Sequence, residues 1–383
     1  MMIEYQQRNL NIKSVLYLSF SGYSNHNGIS KKKLAQIKGL KECGCSVVNC
    51  YYTVNSENGD RLWMADDNVL VNLGSGIWAK IRKRIDYTPI LNYIEKQQIG
   101  LVYMRSEHNA SPFLIRFVRQ LSSLRVKTVM EIPTYPYDQE YSTFKGKCFL
   151  FIDRIFRKRL AKELHAIVTF SNQKEIFGQR TIQISNGIDF SSLHLKRNSH
   201  NPGELHLLGV AEIHFWHGFD RIIAGLANYY QRTERPYKVY FHIVGAFFGA
   251  RVRDEILNLI ADHHLEKYVI LHGPQYGPEL DVLFDLADLG IGSLGRHRSG
   301  ITFIKTLKNR EYAARGIPFI YSEMDSDFDR MDYIYKIPSN DSSIEIDQII
   351  QFYQQLEISA KDIRESVCHL SWKKQMQTVV DSL

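Results

Sequence analysis

At 383 residues and 44% hydrophobic side chains, the chain is longer than one core usually supports, so two domains of roughly 180 residues are expected. The formal net charge of +7 points to anionic partners, and the early apolar run Val15 to Phe20 is too short for a membrane span or a signal-peptide core. The five cysteines are odd in number and lack CxxC spacing, which fits reduced thiols in a cytoplasmic protein and disfavours a disulfide framework or a zinc module.

Short apolar strands alternate with helical segments along the whole chain, the pattern of parallel sheets with crossover helices. In the first half, strands are expected at Ser14 to Phe20, Val47 to Tyr51, Leu101 to Met104, Lys127 to Ile132, Ala166 to Thr169 and Thr181 to Ile184. Helices fall at Lys31 to Glu42, Ile90 to Gln97 and Pro112 to Leu124, and Thr53 to Val69 and Arg105 to Pro112 read as loops. Ser185 to Glu204, rich in Asn, Ser, Gly and Pro, reads as a linker. The series restarts with strands at Leu205 to Val210, Val239 to Val244, Val269 to Leu271, Leu289 to Ile291 and Phe319 to Tyr321, and Ser371 to Asp381 forms a last helix. The expected fold class is α/β: two doubly wound, Rossmann-like parallel-sheet domains, residues 1–190 and 191–370, facing across a cleft.

Basic residues cluster at Lys31 to Lys33, Lys80 to Arg84 and Arg154 to Lys162. No zinc-finger, RNP-like or helix-turn-helix signature accompanies them, so nucleic acid is not the expected partner. Cys148 to Leu164 places Phe149, Ile152, Phe156 and Leu160 at helical spacing beside arginines and lysines. It reads equally as a basic helix lying on an anionic membrane surface and as a half-buried domain helix with a wet basic face.

Chemistry concentrates between Gly292 and Ser322. Arg296, His297 and Arg298 fall just past the carboxyl end of a strand, where ligands bind in open α/β sheets. Lys305, Lys308, Arg310 and Glu311 follow, combining phosphate-seeking cations with one hydroxyl-seeking carboxylate, a set suited to a diphosphate joined to a ribose. Gly316 and Pro318 stop that helix before the next buried strand. Asp325, Asp327 and Asp329 are spaced like a DXD metal motif, but the segment reads as a polar turn. In the first half, Gly28 and Ser30 open a helix after strand one, either a phosphate- or sugar-binding loop or a plain turn cap. Glu131, Tyr135 and Asp138 lie on a proline-fixed loop at a strand end, able to hydrogen-bond a sugar, and His108 lies in the preceding loop.

This motif order resembles that of the GT-B glycosyltransferases of the retaining group 1 family, also called family 4, common in bacterial polysaccharide synthesis. The resemblance covers nearly the whole chain. Glu311 to Ile320, EYAARGIPFI, is similar to the family's E-A-x-A-x-G-x-P-x-I, which implies a donor-ribose role for Glu311, and Asn186 to Asp189 is similar to its N-G-V-D at the domain junction. Two positions depart from the pattern. Phe303 stands where relatives have another glutamate, and Ala211 to Gly218, AEIHFWHG, carries Glu212 and His217 where they pair an arginine with a lysine.

The resemblance implies an acceptor-binding domain, residues 1–190 with helix 371–383 packed back on it, and a nucleotide-sugar domain, residues 191–370. Within this reading Lys308 and Arg221 stand in for the missing cation pair as catalytic residues, Glu131 is a third, and Glu311, Arg298, Arg296, Arg310, His217 and Gly245 are the expected donor contacts. Gly28 and Ser30 would form a phosphate or sugar loop, and His108, Tyr135 and Asp138 the acceptor side. The implied reaction is hexosyl transfer with retention from a nucleotide-diphosphate sugar to a saccharide or lipid-diphosphate-linked acceptor in capsule or lipopolysaccharide synthesis. Neither metal nor other cofactor is expected, and the implied location is cytoplasmic, with an inner-membrane contact through 148–164 as one reading. A nucleotide-sugar epimerase of the same architecture, or an inactive nucleotide- or sugar-binding protein, are the alternatives.

Overall fold

The computed structural model describes residues 12–23, 28–138, 141, 143–197 and 202–383. The chain divides into two compact units, one of residues 1–187 with 372–383 and one of residues 188–371.

The first unit begins with β1 (Ser14–Ser19), α1 (Gly28–Glu42) and β2 (Ser46–Val54). A short meander follows, β3 (Arg61–Ala65) and β4 (Asn68–Asn72), then α2 (Gly76–Ile85) and α3 (Thr88–Lys96). Next come β5 (Leu101–Arg105), α4 (Pro112–Ser123), β6 (Lys127–Ile132) and α5 (Phe144–Glu163). The unit's sheet closes with β7 (Ala166–Thr169), β8 (Glu175–Ile176) and β9 (Gln179–Gln183). The strand order is β4-β3-β2-β1-β5-β6-β7-β9-β8, and β2, β1, β5, β6, β7 and β9 pair in parallel. These central strands are covered on both faces, which is why they read as nearly unbroken apolar runs.

The span Thr53 to Val69 is not a loop. Its β3 pairs antiparallel with β2 and β4, Asp66 turns the chain at a φ of 51°, and fully buried Trp63 packs edge-on against Phe20 and Tyr52. The three inner residues of β4, Val69, Leu70 and Val71, are all apolar although Val69 is exposed, so the strand shows no polar–apolar alternation.

The second unit runs β10 (Glu204–Val210), α6 (Phe219–Tyr230), β11 (Lys238–Val244), α7 (Ala250–Asp262), β12 (Val269–Gly273) and α8 (Gly277–Leu286). It continues with β13 (Leu289–Ile291), α9 (Leu307–Ala314), β14 (Phe319–Tyr321) and β15 (Ile334–Lys336). Two helices, α10 (Ile346–Gln354) and α11 (Ala360–Ser366), complete it. Its six strands, all parallel, lie in the order β12-β11-β10-β13-β14-β15. The segment read as a linker is tied down at both ends: Ile188 N donates to Leu370 O at 2.8 Å and Lys196 N to Arg315 O at 2.8 Å. Its residues 198–201 lie outside the described residues. The final helix, α12 (Trp372–Asp381), belongs to the first unit, where Trp372, Met376 and Val379 share a core with Ile37 and Leu40 of α1.

Candidate functional site

In the second unit the strand order reverses between β10 and β13, the kind of switch point at which two loops diverge and leave a crevice. The loops leaving these two strands are stitched together. Leu294 N donates to His217 O at 2.9 Å and Gly295 N to Trp216 O at 3.2 Å. Gly218, at φ 67°, permits this approach, since a Cβ there would lie 2.8 Å from the Gly295 nitrogen. Gly245, named above as a donor contact, serves the neighbouring loop in the same way: a Cβ would fall 1.6 Å from Ala211 O.

Around these strand ends lies a group of buried polar atoms that the protein itself does not satisfy. Lys308 Nζ, both carboxylate oxygens of Glu323, both amide atoms of Asn309, Ser293 Oγ and Thr306 Oγ1 are buried without a hydrogen-bond partner. Ser293 follows β13 and Glu323 follows β14, while Lys308 and Asn309 sit in the first turn of α9. Native proteins satisfy most such atoms, so a cluster of them marks a place prepared for a polar ligand. Burial pulls the Lys308 ammonium far below its ordinary value, the nearby Glu323 carboxylate pushes back, and Arg296 adds to the fall. Burial likewise drives Glu323, 2% exposed, well above the usual carboxylate range. His217 is held neutral by burial and by the positive charges of Lys308 and Arg296. A ligand bringing negative charge would restore full ionisation to Lys308.

The other cations named from sequence are held by their own unit. Arg221 is a correction: its guanidinium, buried, ties Ser342 O (2.8 Å), Leu294 O, Pro338 O (3.1 Å) and Asn340 Oδ1 (3.2 Å), so four of its five donors are spent on fixing two loops. Arg298 forks onto Asp220 at 2.9 and 2.7 Å and also reaches Asp341 at 2.7 Å. Arg310 is buried on Asp325 and Asp327. Of the DXD-like aspartates, Asp329 meets Lys336 and Tyr321 instead. Arg296 lies over the Trp216 ring, 5.3 Å from its centroid. Glu311 is partly exposed, with Oε1 held by Arg315, and its i, i+3 spacing puts it on the same helix face as Lys308.

Glu131, in the first unit, is a second correction. It is fully buried and receives Arg105 (2.5 Å), Tyr103 (2.6 Å), Gln36 (2.6 Å) and the Lys32 ammonium (3.4 Å). Its carboxylate is below its ordinary pKa: burial alone would raise it, but Lys32, Arg105 and the hydrogen bonds outweigh that. Ringed by its own unit, it cannot reach a substrate. Asp138 is paired with Arg154 and Arg157 of α5. His108 stacks on Tyr137 at 3.7 Å and meets the Tyr141 hydroxyl at 2.5 Å, and burial with Arg105 nearby lowers its pKa to about 4. Tyr135 packs edge-on against Phe177, as does Tyr137, so His108, Tyr135 and Asp138 gather around one aromatic patch. Gly28 and Ser30 lie in the first turn of α1, Ser30 buried.

Sequence reasoning missed Glu323, Asn309 and Ser293. The strand-end rule that singled out Arg296 to Arg298 applies equally to Ser293 and Glu323. Nothing in the sequence distinguishes Glu323 from the aspartates after it, and Asn309 is hidden inside a helix.

The two units, each a doubly wound parallel sheet flanked by helices, define the GT-B class of fold. Three solved structures show the likeness: sucrose-phosphate synthase from Thermosynechococcus elongatus (TM-score 0.63, 14% identity, covering 96% of this chain and 98% of that one), Anabaena HepE in complex with UDP (0.62, 15%, 97% and 100%), and the lipopolysaccharide outer core galactosyltransferase WaaB (0.54, 11%, 97% and 100%). At such identity the likeness establishes the fold. No protein-family model and no curated protein matches the chain.

Proposed function

We propose that the protein is a glycosyltransferase that uses a nucleotide-diphosphate sugar, with its donor site at the switch point of the second unit. The carrying observation is the unsatisfied polar cluster around Lys308 and Glu323, in a fold shared with HepE, which has been solved with UDP and with UDP-glucose. Lys308 would receive the negative charge that grows on the leaving diphosphate, with Arg296 beside it; a preorganised donor of this kind contributes on the order of 2.7 to 4 kcal/mol to such a step. Glu311 would accept from the donor ribose. Arg221, Arg298 and Arg310 are reassigned to holding the loops that shape the site.

Glu323 extends the reading. Phe303, which stands in the place of the resembled family's second glutamate, pairs with Met324 in a parallel bridge, so the adjacent Glu323 supplies a carboxyl group next to that position. A carboxyl raised toward neutrality can donate as well as accept, which suits the hydroxyls of a sugar. In the first unit, the patch of His108, Tyr135 and Asp138 is the proposed acceptor side, and the acceptor a saccharide or lipid-linked saccharide of surface polysaccharide synthesis. Hexosyl transfer, retention, independence of metal and a cytoplasmic location rest on the motif resemblance. Helix α5 is the proposed contact with a membrane surface; among the described residues no helix is long and apolar enough to cross one.

A thermal-shift series with UDP, GDP, ADP, CMP and their sugar conjugates tests the donor site, because a ligand that binds only the native state raises the melting point. One nucleoside diphosphate is expected to give a selective shift that Lys308→Ala and Glu311→Ala reduce. No shift at millimolar ligand would refute the donor site.

A further inference from the structure

The solvent side of α5 carries apolar side chains among its exposed cations. Leu150, Leu160 and Ala161 are buried in the unit's core, which leaves a second apolar strip facing outward. Phe144, Phe151 and Ile155, spaced i, i+7 and i+11 on one helix face, are exposed by 85%, 65% and 50%. Helical periodicity sets exposed Lys147 and Lys158 on one flank of this strip and Arg159 on the other.

Helix α2 repeats the arrangement. Ile77 and Trp78 are exposed by 74% and 77%, Lys80, Arg82 and Arg84 are exposed among them, and the helix has no acidic residue. The two helices are neighbours: both pack on α4, and the Arg84 guanidinium lies 4.3 Å over the Phe149 ring of α5.

Apolar side chains in such number, rimmed by cations, mark a surface made to be covered. A second copy of the chain would bring two strongly positive faces together, which Coulomb repulsion opposes. A nucleic acid would neutralise the cations but leave Trp78, Phe144 and Phe151 in water. An anionic bilayer accepts both parts, since its headgroups meet the lysines and arginines while the aromatic rings enter the boundary with the acyl chains. We propose that α2 and α5 together form a docking surface for an anionic lipid bilayer, with the first unit lying on the membrane plane. This rests on the reading of α5 given above and enlarges it to a two-helix face whose contact is apolar as well as electrostatic.

The test is co-sedimentation of the full chain with lipid vesicles in the absence of any nucleotide. Binding is expected with vesicles containing phosphatidylglycerol and not with phosphatidylcholine alone. The paired change Trp78→Ser and Phe151→Ser should lower partitioning by more than about tenfold, and Lys158→Ala should lower it by about fivefold at low salt. The variants' circular dichroism and melting temperature establish that they are folded. The proposal falls if the intact protein ignores anionic vesicles or if the paired variant binds them unchanged. It also falls if sedimentation velocity shows a dimer that the paired variant dissolves, or if a model oligonucleotide is captured in preference to vesicles. Vesicle binding is measured without nucleotide and nucleotide binding without vesicles, so failure of the docking surface and failure of the donor site are separate results.

Discussion

Both units gather buried charge at the carboxyl ends of their strands, beside the point where strand order reverses, but the two clusters are finished differently. In the first unit Glu131 is closed in by Arg105, Lys32, Tyr103 and Gln36, and Lys33 caps the end of β1 through Ser19 Oγ and the Gly22 carbonyl. In the second unit the Lys308 Nζ and the side-chain polar atoms of Asn309 and Glu323 are buried without a hydrogen bond. The first is an internally complete network that holds a sheet together. The second keeps polar and charged groups out of water without hydrogen bonds, an arrangement that opposes folding and is understandable where a ligand completes it.

If that contrast is sound, the same type of substitution should have opposite consequences in the two places. The largest effect is expected from Glu131→Ala, which leaves Arg105 and Lys32 buried without their counter-charge; it should destabilise the protein by about 3–5 kcal/mol, read from urea denaturation midpoints. Lys308→Ala should slow sugar transfer by about 10²- to 10³-fold while lowering stability far less than Glu131→Ala does, because burial already disfavours the ammonium and Glu323, raised toward neutrality, can take a proton. A loss of stability like that of Glu131→Ala would make the second cluster structural too.

The pH dependence sharpens the comparison. Burial holds Lys308 well below its ordinary value, so the free protein gives up this proton more easily than an exposed lysine would, and an arriving diphosphate favours its return. Nucleoside diphosphate binding should therefore take up a proton near pH 8, seen by calorimetry in buffers of different ionisation enthalpy, and weaken as pH rises from 7 to 9. Lys308→Ala should abolish most of the uptake. The smallest effect is expected from Arg298→Ala: Asp341 is exposed and Asp220 half-buried, so roughly 1–2 kcal/mol is lost and nucleotide affinity stays within a few-fold.

Most of the architecture was legible in the sequence, because strands covered on both faces must be apolar and their crossover helices must break at residues such as Gly316 and Pro318. The exposed meander β3–β4 was not, since its outer strand faces water and has no alternation to read. Helix α5 was legible as a helix and misleading as a surface. Of the stripe of Phe149, Ile152, Phe156 and Leu160, all but Ile152 turn inward or half inward, and the apolar residues left outside are Ile152 with Phe144, Phe151 and Ile155.

The candidate site divides along the same line. Residue type and position past a strand end were enough to bring Lys308, Arg296 and Glu311 to notice, since the chemistry of cations and a carboxylate near a helix start is local. Which cations are tied within the unit was decided by residues far away in the chain: Asp220 and Asp341 for Arg298, Asp325 and Asp327 for Arg310, and the carbonyls of Leu294, Pro338 and Ser342 for Arg221. The sequence by itself thus determined the two parallel-sheet units and the segment that carries the chemistry, because periodicity and turn chemistry act within a few residues. Only the tertiary structure decided which charges are paired and which are buried alone, because desolvation and pairing depend on neighbours that folding brings together.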